Sequence, residues 1–144
     1  MVKGPSIFSG YWAQPELTSV KLQDGWLHTG DMVYQGGDGL LYIAGRKDDM
    51  IIRGGMNIYP VEIEDVLLRD PRIREAVVYG VPDTKFGHKL IITVVPQEDC
   101  LITPSDVLQL CREHLASYQY PDDIQIVDAM ERNATGKTLR KRVI

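Results

Sequence analysis

Gly45-Arg46-Lys47-Asp48-Asp49-Met50-Ile51-Ile52-Arg53-Gly54-Gly55-Met56-Asn57-Ile58-Tyr59-Pro60-Val61-Glu62-Ile63-Glu64 is the stretch on which the sequence changes character. It opens with a charged joint at Arg46 to Asp49, continues as a short apolar strand over Asp49 to Arg53, and turns at Gly54-Gly55 toward a helix that Pro60 starts. Proline at a first helical position gives up no intrahelical hydrogen bond. Ile63, Val66 and Leu67 fall on one face of that helix, and the acids Glu62, Glu64 and Asp65 sit in its first turn, where the helix dipole favours negative charge. A joint, a strand and a glycine turn within twenty residues suggest a moving part that presents backbone to a ligand, although Gly-Gly alone also reads as a tight turn.

Toward the N-terminus the text is strand and turn. A brief helical patch follows Pro15, Gly25 to Asp31 and Met32-Val33-Tyr34 read as extended, and Gly36-Gly37-Asp38-Gly39 makes a hairpin turn into Leu40 to Ala44. These antiparallel elements lack the apolar runs needed for a core of their own, so they read as the edge of something larger. Phe8, Trp12 and Trp26 read as packing residues.

Toward the C-terminus, Asp70-Pro71 stops the first helix, and Ile73–Val81 and Lys89–Val95 read as β-branched strands around a turn at 82–87. Thr103-Pro104-Ser105-Asp106 has the spacing of a capped helix start, with Val107, Leu108, Cys111 and Leu115 as the buried stripe. Ile124–Val127 reads as a short strand, and Arg132-Asn133-Ala134-Thr135-Gly136 as a loop leading into a basic terminal helix. The fold class is therefore α+β: a compact domain over 49–144 with a small mixed sheet and helices, preceded by an antiparallel β remnant over 1–45 and a hinge at 46–48.

The chain is 144 residues long with a formal charge of -4, which argues against a nucleic-acid partner. Arg132, Lys137, Arg140, Lys141 and Arg142 crowd its end, as either a local anion site or a solvated terminus. Cys100 and Cys111 form no disulfide framework, there is no apolar block of a signal peptide, and no apolar run reaches the roughly 20 residues of a membrane span. These features suit a cytoplasmic protein. His28, His88 and His114 are too scattered for metal-ligand spacing, so no metal site is expected. Asn133 to Lys137 is a glycine loop ending in lysine, which can set an ammonium group against a phosphate or simply display a surface lysine.

Three ordered motifs carry a resemblance. Gly25-Trp26-Leu27-His28-Thr29-Gly30-Asp31, the stretch from Gly45 to Glu64, and Asn133-Ala134-Thr135-Gly136-Lys137 together resemble the C-terminal portion of the adenylate-forming acid-thiol ligases, the superfamily of acyl-CoA synthetases and peptide-synthetase adenylation domains. The resemblance implies a two-step reaction. A carboxylic acid attacks the α-phosphate of ATP, releasing pyrophosphate and forming an acyl-adenylate, and a pantetheine thiol then displaces AMP.

By the same resemblance Asp31 and Arg46 bind the nucleotide ribose, Asp48 is the hinge, and Lys137 bridges carboxylate and α-phosphate. Gly54 and Gly55 line the pantetheine channel, and Phe86 and Tyr118 are candidates to stack on adenine. ATP and Mg2+ are then expected to be held mainly by a large N-terminal domain, and a chain starting beyond that domain's phosphate loop is expected to be inactive alone. The thiol is CoA or a carrier-protein phosphopantetheine. An acyl-CoA synthetase is the preferred reading; the acids Asp122 and Asp123, which lie where many CoA-using members carry bases, raise a carrier-protein-loading enzyme as the alternative, and a non-catalytic carrier-protein docking module is a further one.

Overall fold

The computed structural model describes residues 1–140. The chain forms two compact units, Met1–Asp48 and Asp49–Ile144.

In the first unit, helix α1 (Pro15–Lys21) starts at its proline, and the Thr18 hydroxyl accepts from the Tyr11 N–H while donating to the Gln14 carbonyl. Strands β1 (Leu22–Gln23) and β2 (Trp26–Leu27) pair antiparallel across Asp24-Gly25, both at positive φ. Strands β3 (Asp31–Gln35) and β4 (Leu41–Arg46) form a longer antiparallel hairpin with a bulge between Met32 and Val33. The glycine turn between them closes by a Gly36 N–H to Leu40 carbonyl bond, and Asp38 accepts from the Leu40 N–H and the Tyr42 hydroxyl. Phe8 and Trp26 are exposed rather than packed inside, and Trp12 is 95% exposed. The reason is geometric: these short pairs stack no second layer over themselves within the unit.

A one-turn 3-10 helix covers Lys47–Asp49, so the strand expected from Asp49 begins later in the second unit, as β5 (Ile51–Arg53). It pairs antiparallel with β6 (Met56–Ile58) across Gly54-Gly55. Helix α2 (Pro60–Leu67) follows, then β7 (Ile73–Asp83) and β8 (Gly87–Pro96), helix α3 (Pro104–His114) and β9 (Asp123–Ile126). The sheet runs β7-β8-β9, antiparallel then parallel, and is therefore mixed. A parallel neighbour needs a crossover, and α3 lies within the connection from β8 to β9.

The core lies between this sheet and the two helices. Ile58, Ile63, Leu67, Val78, Leu90, Ile92, Val94, Val107 and Cys111 are fully buried in one cluster, with Ile51, Ile73 and Ile102 beside them. Each such aliphatic side chain contributes roughly 1.5–3 kcal/mol on burial. Thr103 caps α3 reciprocally, accepting from the Asp106 N–H while the Asp106 carboxylate accepts from the Thr103 N–H. The buried stripe of α3 is Val107, Leu110, Cys111 and Leu115 rather than one including Leu108, which is only partly buried and lies outside the cluster.

Glu64, placed by the sequence among the first-turn acids of α2, is buried, with its residue only 7% exposed. The basic terminal helix expected after Gly136 does not form among the described residues. Lys137 to Arg140 is not helical, since Thr138 pairs back to Arg132 in an antiparallel bridge; Lys141 and Arg142 lie outside the described residues.

Candidate functional site

In the first unit, the antiparallel register sets Asp31 directly opposite Arg46. The Arg46 Nη1 donates to Asp31 Oδ1 at 3.1 Å and its Nη2 to the Thr29 carbonyl at 3.2 Å. The pair is partly exposed, so it contributes little stability and its polar atoms stay open to a ligand. Gly30 has φ +81°, and a Cβ there would lie 3.4 Å from Arg46 Nη2 and 3.9 Å from Asp48 Oδ2. Its backbone twist is what lets Asp31, Arg46 and Asp48 gather around one point. His28, Thr29, Asp31, Lys47 and Asp48 line a pocket of about 360 Å³ there. Asp31, Arg46 and Asp48, expected as site residues, are thus brought together.

In the second unit, Gly54 and Gly55 hold φ +56° and +82°, and a Cβ on either would meet open space. Torsion, not crowding inside the unit, therefore requires glycine, and the backbone of the turn stays bare. The Gly54 N–H donates to the Phe86 carbonyl at 2.9 Å. His88 Nδ1 lies 2.9 Å from the Ile52 carbonyl, which can only accept, so this nitrogen carries the proton. On the other side Arg53 donates to the carbonyls of Tyr118 and Tyr120 and to Asp122 Oδ1, at 3.2, 2.6 and 2.8 Å. The glycine turn is thus stitched to the segments carrying Phe86 and Tyr118, whose residues are 44% and 38% exposed.

The same network gives the exposed Asp122 internal partners. Its Oδ1 takes the Arg53 guanidinium and its Oδ2 the Leu90 N–H at 2.7 Å, so the charge is matched from within. Asp123 accepts from the Gln125 amide.

Lys137 stands in the returning arm of a small hairpin. Asn133 Oδ1 accepts from the Thr135 N–H, the Thr135 hydroxyl and the Lys137 N–H at 2.8–3.0 Å. The Asn133 N–H donates to the Lys137 carbonyl, the Leu139 N–H to the Glu131 carbonyl, and Gly136 turns the chain at φ +80°. Among the described residues, the neighbouring bases Arg132 and Arg140 do not form an open anion cluster with it. Arg132 pairs with Glu75 at 2.6 Å, and Arg140 pairs with Glu64 at 2.6 Å and Asp49 at 3.4 Å. Lys137 makes no ion pair with a described residue and is exposed.

Sequence reasoning missed Arg53, Asn133, Arg140 and Glu64 as organising residues. Asn133 had a local signal, an asparagine two residues before a threonine and three before a glycine, which is how an Asx turn is spelled. The other three act across 69 or 76 positions, and no local pattern marks them. Among the described residues no three His, Cys, Asp or Glu side chains stand together as a metal site.

The sequence profile of the AMP-binding enzyme C-terminal domain matches residues 62–137, and the chain belongs to that family. Over 143 residues it is 41% identical to a 2-succinylbenzoate–CoA ligase of Bacillus cereus, covering 99% of this chain and 29% of that protein. It is 42% identical to the long-chain-fatty-acid–CoA ligase of Bacillus subtilis (strain 168), covering all of this chain and 26% of the relative. The solved o-succinylbenzoate CoA synthetase of Bacillus subtilis, bound to its acyl-adenylate, superposes with a TM-score of 0.87 at 37% identity, covering 98% of this chain and 29% of that one. An amide bond synthetase from Marinactinospora thermotolerans gives the same TM-score at 34% identity, covering 94% of this chain and 28% of its own. The α+β fold expected from the sequence is that of the matched part of these solved structures, and the chain spans a little over a quarter of the length of the curated relatives it matches.

Proposed function

We propose that this chain is the C-terminal part of an ATP-dependent, AMP-forming acyl-CoA synthetase, acting in the cytoplasm. The observation that carries the reading is the state of the basic cluster: Arg132 and Arg140 are spent on internal carboxylates, while Lys137 stands exposed on a pinned backbone. Lys137 is the catalytic residue of the first half-reaction. Its ammonium offsets the negative charge that gathers as the carboxylate oxygen attacks the α-phosphate and pyrophosphate departs. Asp31, an acceptor with Oδ2 free of described donors, takes the ribose hydroxyls, and Arg46 orients it. ATP and Mg2+ are held mainly by a large N-terminal domain, without which the chain is inactive, and the exposed strands of the first unit are the surface such a domain covers.

Asp48 is the hinge, a role supported by its place at the last position of the first unit. In the second half-reaction the thiol reaches the acyl-adenylate past Gly54 and Gly55, whose bare backbone leaves room for pantetheine, and Phe86 and Tyr118 offer faces to adenine. Free CoA is favoured over a carrier protein, because Asp122 is paired with Arg53 and the two curated relatives compared are CoA ligases. The acid is a small-molecule carboxylate, with fatty acids the natural first class to try.

The test is a chimera in which this chain replaces the corresponding C-terminal part of the Bacillus subtilis o-succinylbenzoate CoA synthetase. It is expected to release pyrophosphate in an acid-dependent manner and to transfer the acyl group to CoA. Lys137→Ala should lower the first step on the order of 10²-fold or more and the thioester step less. Asp48→Pro, which fixes φ near about -65°, should impede passage between the two steps. A folded chimera without pyrophosphate release, or full adenylation by Lys137→Ala, overturns the reading.

A further inference from the structure

The hairpin that carries Lys137 is too small to place itself. An isolated two-stranded hairpin is marginal in water, and the tip here is Asn133-Ala134-Thr135-Gly136, exposed throughout and without a large apolar side chain to pack. Its internal bonds through Asn133 define its shape but not where it stands. Among the described residues its ion pairs to the rest of the unit come from the two arginines that bracket it.

The two anchors are unequal. Arg140 presents its fork to Glu64, with Nη1 on Oε1 at 2.6 Å and Nη2 on Oε2 at 2.9 Å, and its Nε lies 3.4 Å from Asp49. The Glu64 side chain is only 10% exposed and its Oε1 also accepts the Val78 N–H at 2.9 Å, so helix α2 and strand β7 meet on this carboxylate. Paired Arg–carboxylate forks fix direction as well as distance. Arg132 reaches Glu75 at 2.6 Å and the Gly136 carbonyl at 3.1 Å, but both side chains of that ion pair are more exposed than Glu64.

We propose that Arg140 is the positioning residue of Lys137: its ion pair with buried Glu64 fixes the returning arm of the lysine hairpin to α2 and β7, with Arg132 on Glu75 as a second, weaker staple. The bases beside Lys137 thus set where its ammonium stands instead of binding the nucleotide themselves. This rests on Lys137 being the catalytic lysine of the proposed synthetase, but the staple has a readout that does not.

Amide hydrogen exchange on the 144-residue chain comes first. In Arg140→Gln the hydrogen-bonded amides of Asn133, Gly136, Lys137 and Leu139 should exchange at least about tenfold faster than any change at the β7–β8 amides accounts for. Arg132→Gln should do the same to a smaller extent. If Arg140→Gln does not fold, Glu64→Gln/Arg140→Gln removes both charges together and is read in the same way. An increase spread evenly over the hairpin and the sheet overturns the proposal.

In the chimera, Arg140→Gln should lower kcat for pyrophosphate release by on the order of 10²-fold, as a misplaced catalytic group does, with KM for ATP held within about twofold. Arg140→Lys, which keeps the charge but not the fork, should recover only part of that loss. A raised KM with unchanged kcat would make Arg140 a nucleotide ligand and overturn the staple. Failure of the chimera with Arg140 intact counts against the synthetase reading alone, and the exchange result then decides the staple.

Discussion

The two units of this chain solve opposite problems with similar sequence. Between Met1 and Asp48 the one buried residue is Gly45, which has no side chain, and Ile43, Leu41 and Trp12 are 68%, 69% and 95% exposed. Beyond Asp49, a strand equally rich in aliphatic residues, β8, places Leu90, Ile92 and Val94 at no exposure at all. The apolar content of a strand therefore does not decide burial; a second layer does. The second unit supplies that layer with α2 and α3, whereas α1 buries no residue.

This contrast is broken most forcefully in the core. Ile92→Ala removes a fully buried side chain from the centre of the sheet and should cost about 2–5 kcal/mol, read as a lower denaturant midpoint for the second unit. The cavity has nowhere to collapse, because strands β7 and β9 hold β8 from both sides. A loss below about 0.5 kcal/mol, the range of ordinary surface changes, would mean that the cluster is not what holds the unit together.

The next effect is local and depends on pH. The Thr103 hydroxyl and N–H beside it hold the Asp106 carboxyl below its ordinary value, with Arg72 adding to the shift. Asp106 binds protons more weakly folded than unfolded, so its contribution is present above the unfolded value of about 3.9 and is lost as pH falls through the lower folded one. Thr103→Ala should cost about 1 kcal/mol at neutral pH, and the difference from the native chain should shrink in acid as Asp106 protonates. A difference in Tm that stays constant down to about pH 2.5 would show that the hydroxyl caps α3 without help from the carboxylate.

How far the sequence discloses the molecule follows the same division. Period and punctuation place the α-helices among the described residues and most strands: Pro15, Pro60 and Thr103-Pro104 start α1, α2 and α3, and Gly36-Gly37 and Gly54-Gly55 turn the hairpins. The family resemblance, carried by motifs whose spacing is local, is what brings out Asp31, Arg46, Gly54, Gly55 and Lys137 as residues to watch. Burial of Glu64 and pairing of Asp122 are not legible, since each depends on an arginine far along the chain, Arg140 and Arg53. Trp12 misleads for a related reason: a large aromatic signals that apolar surface exists, not that this segment contains its cover.

The smallest effect tests the exposed side of the comparison. Ile43 lies on β4 opposite Val33, and both are more than half exposed. Ile43→Ser removes little surface that folding had taken from water, so in this chain it should shift stability within about 0.5 kcal/mol. Serine has a lower strand preference than isoleucine, which sets the direction of the small loss. The same substitution in the chimera meets the large domain, where the proposed cover would bury the position. There it should cost clearly more, on the order of 1–3 kcal/mol, because a polar group replaces an apolar contact. Equal, near-zero shifts in both settings would mean that the β3–β4 face stays open in the chimera, and that its exposed apolar strands are not the surface that the proposed larger domain covers.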